Sequence, residues 1–107
     1  MTTTALENHV LARFRRALDE MYGDRLERAV LYGSRARGEA HTESDYDVAV
    51  FLYDIDDNGR DLYRLADLST MFINETGAFV HAMPYPAGSY KARTPLMLGI
   101  RTDGIDL

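Results

Sequence analysis

Apolar residues in the first part of the chain recur at helical intervals. Leu6, Val10, Leu11, Phe14, Leu18, Met21 and Tyr22 form one stripe, predicting an amphipathic helix. Thr4 and Glu7 have the spacing of a capping box at its start, and Gly23 is its natural stop. The period then changes. RAVLYGS, from Arg28 to Ser34, reads as a short buried strand ending in glycine, and the polar RARGEAHTES as a helical turn followed by a loop. DYDVAVFLY, from Asp45 to Tyr53, is rich in β-branched and aromatic residues and predicts a second strand. Its alternation sets Asp45, Asp47, Ala49 and Phe51 on one face and Tyr46, Val48, Val50 and Leu52 on the other.

Past the acidic turn DIDDNG, a helix is expected from Arg60 to Glu75, with Leu62, Leu65, Ser69, Phe72 and Ile73 inward and Gly77 as its cap. AFVHAMPY predicts a third strand. Thr94 and Pro95 read as an N-cap with proline at the first helical position, opening a last short helix that ends before Gly104. No repeat, linker or low-complexity tract interrupts this order. The expected fold is α+β (mixed α/β), a small mixed β-sheet flanked by helices, with residues 1–107 as a single domain.

Composition narrows the function. With 107 residues, 46% apolar and 27% charged, the chain is long enough to bury a core unaided. Cysteine is absent, which excludes disulfides, thiolate metal sites and cysteine nucleophiles. No apolar run is long enough to cross a bilayer, and the N-terminus lacks the pattern of a signal peptide, so a cytoplasmic location is expected and Asn74-Glu75-Thr76 carries no weight as a glycosylation site. The net charge of −5 argues against stable nucleic-acid binding. Eleven of the 12 basic residues are arginine, and seven of them fall between Arg13 and Arg37. That asymmetry suits a small anionic substrate or a protein partner, with a solvated helix face as the plainer account of Arg13, Arg15 and Arg16.

The chemistry concentrates between Leu31 and Phe51. A strand ends in Gly33 and Ser34, ten residues intervene, and Asp45-Tyr46-Asp47 opens the next strand. Gly33 lets backbone N–H groups approach a phosphate, a helix beginning there adds its positive end, and the Ser34 hydroxyl can donate to a phosphate oxygen. Asp45 and Asp47 point the same way. Two adjacent carboxylates repel unless a cation lies between them, and oxygen ligands select magnesium or manganese. Such a site would bridge a triphosphate and stabilise departing pyrophosphate, as in two-metal in-line displacement.

GSRARG followed by SDYDVAV resembles the nucleotidyltransferase superfamily that includes DNA polymerase beta and kanamycin nucleotidyltransferase. It most resembles the minimal nucleotidyltransferase (MNT) proteins, whose signature is Gly-Ser, ten residues, Asp-x-Asp. The resemblance extends over nearly the whole chain and implies the polymerase beta-like nucleotidyltransferase fold. It further implies an antitoxin that neutralises a HEPN-domain ribonuclease toxin, as a hetero-oligomeric partner, by transferring AMP from ATP to a tyrosine of the toxin. On that basis Gly33 and Ser34 hold the triphosphate, Asp45 and Asp47 hold Mg2+ or Mn2+, and Arg35 and Arg37 are phosphate or structural contacts.

One feature departs from the family. Full transferases add a third carboxylate from a neighbouring strand, often as base on the incoming hydroxyl. No acidic residue occurs between Glu75 and Asp103, and His81 is the titratable group on the expected strand. Imidazole is a feasible base near neutral pH, although a strand histidine can equally be packed or face a partner. The alternative is therefore a weak or inactive transferase fold that neutralises its toxin by binding. Transfer to RNA or an antibiotic fits less well, because the chain is acidic and short for a separate acceptor-binding domain. Asp54 to Gly59 imitates half of a calcium-binding loop, but Leu65 stands where the bidentate glutamate is needed. Lys91 and Arg93 follow a Gly88-Ser89 turn, either reaching phosphates from the far side of a cleft or lying on the surface.

Overall fold

The computed structural model describes residues 4–39, 45–55 and 59–107, with 4–8 described as backbone only. The elements are α1 (Thr4–Tyr22), a 3-10 turn (Gly23–Arg25), β1 (Leu26–Tyr32), α2 (Ser34–Arg37), β2 (Tyr46–Leu52), α3 (Arg60–Thr76), β3 (Val80–Pro86), a second 3-10 turn (Ser89–Lys91), α4 (Pro95–Asp103) and β4 (Ile105–Asp106). The proposed capping box and the middle of the DIDDNG turn lie outside the described side chains.

The strands form one mixed sheet in the order β3-β2-β1-β4. β1 runs antiparallel to β2 and to β4, whereas β2 and β3 are parallel and joined through α3. Both faces of β2 are buried from Val48 to Leu52, as that unbroken apolar run requires. Tyr46, Val48, Val50 and Leu52 pack with Val10, Phe14 and Leu18 of α1 and Leu65, Leu68 and Phe72 of α3. Ala49 and Phe51 pack on the opposite side with Val30 and with Met97 and Ile100 of α4.

The last helix has the expected cap: the Thr94 hydroxyl accepts from the Met97 N–H at 3.2 Å, and Pro95 occupies the first turn. Gly77 ends α3 in the left-handed region, donating to the Ile73 carbonyl.

The inner face of α3 differs from expectation. Leu62 and Ile73 are exposed, at 42% and 41%, and the buried set is Asp61, Leu65, Leu68, Ser69 and Phe72. The cause is electrostatic. Asp61, only 1% exposed, takes two hydrogen bonds from Arg25 at 2.8 and 3.2 Å, which turns Leu62 outward. Ser69 likewise satisfies itself inside, donating to the Val80 carbonyl.

Two further elements differ. β1 begins at Leu26 and ends at Tyr32, so Ser34 is the first helical residue and not a strand residue. A fourth strand follows α4, where Leu31 and Val30 pair with Ile105 and Asp106. Gly104 permits that return, because a Cβ there would run into the Ile100 carbonyl and lie 2.6 Å from Val30 Cγ1.

Candidate functional site

Three strand ends meet at one edge of the sheet. β1 leaves at Tyr32 and turns through Gly33, β2 enters after Asp45, and β3 enters at Val80. The ladders set Tyr32 opposite Asp47 on one side and His81 opposite Asp47 on the other. Asp47 therefore stands at the centre, on the face shared with Ala49 and Phe51, as strand alternation predicts.

Gly33 adopts φ 79 and ψ −158, a backbone conformation that disfavours any side chain. A Cβ there would lie 2.6 Å from Asp47 Oδ2. The glycine and the second aspartate of the signature are thus in contact. α2 is a single turn with no side-chain cap, so its effect on an anion comes from the local N–H groups of the turn rather than from a long helix dipole.

Asp45 is exposed just before β2, and Asp47 is half-buried. His81 Nδ1 lies 3.7 Å from Asp47 Oδ1, too far for a hydrogen bond. The His81 ring is 52% exposed and lies nearly parallel to that of Phe79, at 16° with centroids 6.2 Å apart. It is therefore not packed into the core.

The two arginines of GSRARG have partners within the chain. The Arg35 guanidinium lies over the Tyr46 ring at 4.0 Å, and Tyr46 faces α1, away from Asp47. Arg37 donates to Glu39 at 2.9 Å and to Asp103 at 3.1 Å, which ties α2 to the end of α4. These bonds hold its guanidinium above its ordinary pKa. Lys91 and Arg93 are exposed around the second 3-10 turn.

Sequence reasoning passed over an aromatic floor beside Asp47. The Tyr32 and Tyr85 hydroxyls interact, and Tyr85 and Tyr90 flank the buried Phe51 at 5.7 and 5.6 Å. Burial, aided by Tyr85 and the Asp47 charge, pushes the Tyr32 hydroxyl up to about 12. Burial also raises Tyr85. The available signal was positional: Tyr32 immediately precedes Gly33.

The donor set suits a hard divalent cation carried with a nucleotide. Among the described residues no group of three or more His, Asp or Glu side chains is arranged to hold an ion alone. Asp45 and Asp47 could supply two carboxylates to such a cation, with phosphate and water oxygens completing its shell. None of the described helices is long and apolar enough to cross a membrane.

Comparison with known proteins places this geometry. The model of the family described as nucleotidyltransferase domain matches residues 11–75, a span that includes Gly33, Ser34, Asp45 and Asp47 and stops before His81. No curated protein matches the chain. Among solved structures, a toxin–antitoxin with AMP-PNP is similar at 24% identity and TM-score 0.59, over 84% of this chain and 66% of that one. A toxin–antitoxin MntA–HpeT mutant is similar at 21% identity and TM-score 0.60, over 88% of this chain and 69% of that one. A second MntA–HpeT mutant gives 24% and 0.59, over 94% and 70%. The chain thus spans about two thirds of the length of these structures, and at such identities the likeness is one of fold. With the signature residues gathered on one sheet edge and the family model covering them, the chain belongs to the nucleotidyltransferase domain family and has the polymerase beta-like nucleotidyltransferase fold.

Proposed function

We propose that the chain is an antitoxin-type nucleotidyltransferase that transfers AMP from ATP to a tyrosine of a partner HEPN-domain ribonuclease toxin, with magnesium. The observation that carries this reading is the contact between the Gly33 turn and the Asp47 carboxylate. It supports the reading because the turn whose N–H groups would hold phosphate lies against the carboxylate that would hold the cation. The similar solved structures are toxin–antitoxin structures, one of them with AMP-PNP, which supports both the partner class and the nucleotide.

In this reading residues 1–107 act as one catalytic domain in the cytoplasm. Gly33 and Ser34 hold the triphosphate, and Asp45 and Asp47 hold the cation. Of the two arginines, Arg37 is the better phosphate ligand, because its partners Glu39 and Asp103 are on exposed ground and exchangeable. Arg35 is the structural one. The tyrosine oxygen attacks the α-phosphorus, the bond from that phosphorus to the α–β bridging oxygen breaks, and pyrophosphate departs with the electron pair. His81 would take the phenolic proton, a role its position opposite Asp47 supports. A bound cation would neutralise the phosphate charge and ease pyrophosphate departure. Incubation with labelled ATP, magnesium and the protein encoded by the adjacent gene should label that protein. Absence of label with every divalent metal would overturn the reading.

A second reading, neutralisation by binding alone, is favoured by one observation: the residue paired with Asp47 on β3 is His81 and not an acid. It expects the Asp45→Asn, Asp47→Asn double variant to neutralise the toxin undiminished.

A further inference from the structure

We propose that Asp103 is a positioning residue that competes with nucleotide phosphate for Arg37, so that binding of the nucleotide loosens the C-terminal strand β4. The proposal rests on the nucleotide-binding reading above and assigns the regulation of that same site.

The local backbone aims Arg37 at the turn. Its N–H donates to the Gly33 carbonyl at 3.1 Å, so residue 37 stands one helical turn above Gly33. A helical side chain leans toward the N-terminal end of its helix, here the Gly33-Ser34 turn. The guanidinium is nevertheless held elsewhere. Glu39, two residues along, accepts from Nε at 2.9 Å, and Asp103, 66 positions away, accepts from Nη1 at 3.1 Å. Asp103 thus occupies a terminal nitrogen that a phosphate would use in a two-point contact. Strand pairing brings it there. Leu31 pairs with Ile105, so the chain just before Ile105 lies alongside the end of β1, where Gly33 turns.

Asp103 is oddly placed without that arginine. It is an acid in the last turn of α4, where the carbonyl end of a helix favours a cation. Its carboxylate is also half-buried, at 27% exposed. Both placements are unfavourable for an anion, and Arg37 compensates them. Carboxylate and phosphate present the same kind of paired oxygens to a guanidinium, so the two compete for it.

The competition reaches β4. After Asp103 the chain turns at Gly104, and Ile105 and Asp106 pair with Leu31 and Val30. An arginine fastens each end of this short strand: Arg37 on Asp103 before it, and Arg15 on the Leu107 carbonyl after it at 2.8 Å. A phosphate that captures Arg37 removes the first fastening. Nucleotide affinity and the anchoring of β4 are therefore linked, and the linkage is reciprocal.

The test measures binding of AMP-PNP with magnesium to the full chain by calorimetry. Asp103→Asn keeps the shape of the side chain and removes the competing charge, so Kd should fall about threefold to fivefold, the scale of an exposed ion pair. Asp106→Asn controls for net charge. Asp106 lies 3.9 Å from Arg28, and its variant should keep the wild-type Kd. Arg37→Gln should weaken binding, and Asp103→Asn added to it should change nothing further, because the competition needs the guanidinium. Hydrogen exchange gives a readout that a merely structural Asp103 would not move. The Leu107 amide, bonded to the Ala29 carbonyl at 3.0 Å, should exchange faster when the wild type binds nucleotide. In Asp103→Asn it should be fast already and indifferent to nucleotide. Unchanged or weaker binding in Asp103→Asn, equal tightening in Asp106→Asn, tightening that persists in Arg37→Gln, or a wild-type Leu107 amide that nucleotide does not accelerate would each overturn the proposal alone. A wild type that binds no nucleotide with any divalent metal would sink the nucleotide reading, and this regulation with it.

Discussion

A Cβ on Gly33 would stand 2.6 Å from Asp47 Oδ2, well inside van der Waals contact. The two halves of the signature are therefore a single unit. The turn at Gly33 closes against β2 because residue 33 has no side chain, and the carboxylate of Asp47 occupies the space a side chain would need.

Replacing that glycine should separate binding from folding. Gly33→Ala sets an L-residue at φ 79 and pushes the Asp47 carboxylate aside. The backbone strain should cost about 1–3 kcal/mol, seen as a fall in Tm with a retained circular-dichroism spectrum. Calorimetric binding of magnesium and AMP-PNP should fall far more. Native-like affinity in Gly33→Ala would show that the contact is incidental.

Magnesium with AMP-PNP should raise the melting temperature of the wild type, because a ligand that binds only the folded state stabilises it by about 2.7 kcal/mol at a hundredfold excess over Kd. Chelation by EDTA should remove most of the gain. In Asp45→Asn combined with Asp47→Asn the gain should vanish. A full gain in that variant would remove the carboxylates from the site.

Alkaline pH should loosen the aromatic floor. The Tyr32 hydroxyl is raised from 10.0 to about 12, so the folded state prefers the neutral phenol. Its contribution is fully present below pH 10.0 and is lost as pH rises through about 12. Denaturant melts across that window should show falling stability, and ultraviolet titration should show a late-ionising tyrosine. Tyr32→Phe should abolish that late component; its persistence would assign it to Tyr22 or Tyr85, which burial also raises.

The register of α3 can be checked by one pair of variants. Asp61→Ala removes the acceptor of the Arg25 hydrogen bonds and should cost about 2 kcal/mol, less than a fully buried pair because Arg25 keeps access to water. Leu62→Ala, on the exposed side, should cost well under 1 kcal/mol. Comparable losses from the two in denaturant titrations would contradict the observed face.

The parts of the fold legible in the chain are those set by short-range periodicity. The α1 stripe, the two-faced alternation of β2, the Thr94-Pro95 start and the Gly77 stop each follow from neighbours a few residues apart. The inner face of α3 is not legible in the same way: apolar periodicity alone favours Leu62, whereas a guanidinium from 36 positions earlier buries Asp61 instead. The strand after Gly104 carries too few residues to show a pattern, and its existence depends on Val30 and Leu31 waiting across the chain.

For the candidate site, spacing along the sequence singled out Gly33 and Ser34, Asp45 and Asp47, with His81 the titratable group on the following strand. Those assignments rest on local geometry, since a turn glycine and same-face strand positions follow from backbone stereochemistry. Tertiary structure alone decided how they meet. Strand order set His81 and Tyr32 on opposite sides of Asp47, sent Arg35 to the far face over Tyr46, and tied Arg37 to Asp103. Such choices depend on the order and register in which distant strands pair, where a shift of a single residue reverses every face, and no local pattern encodes that.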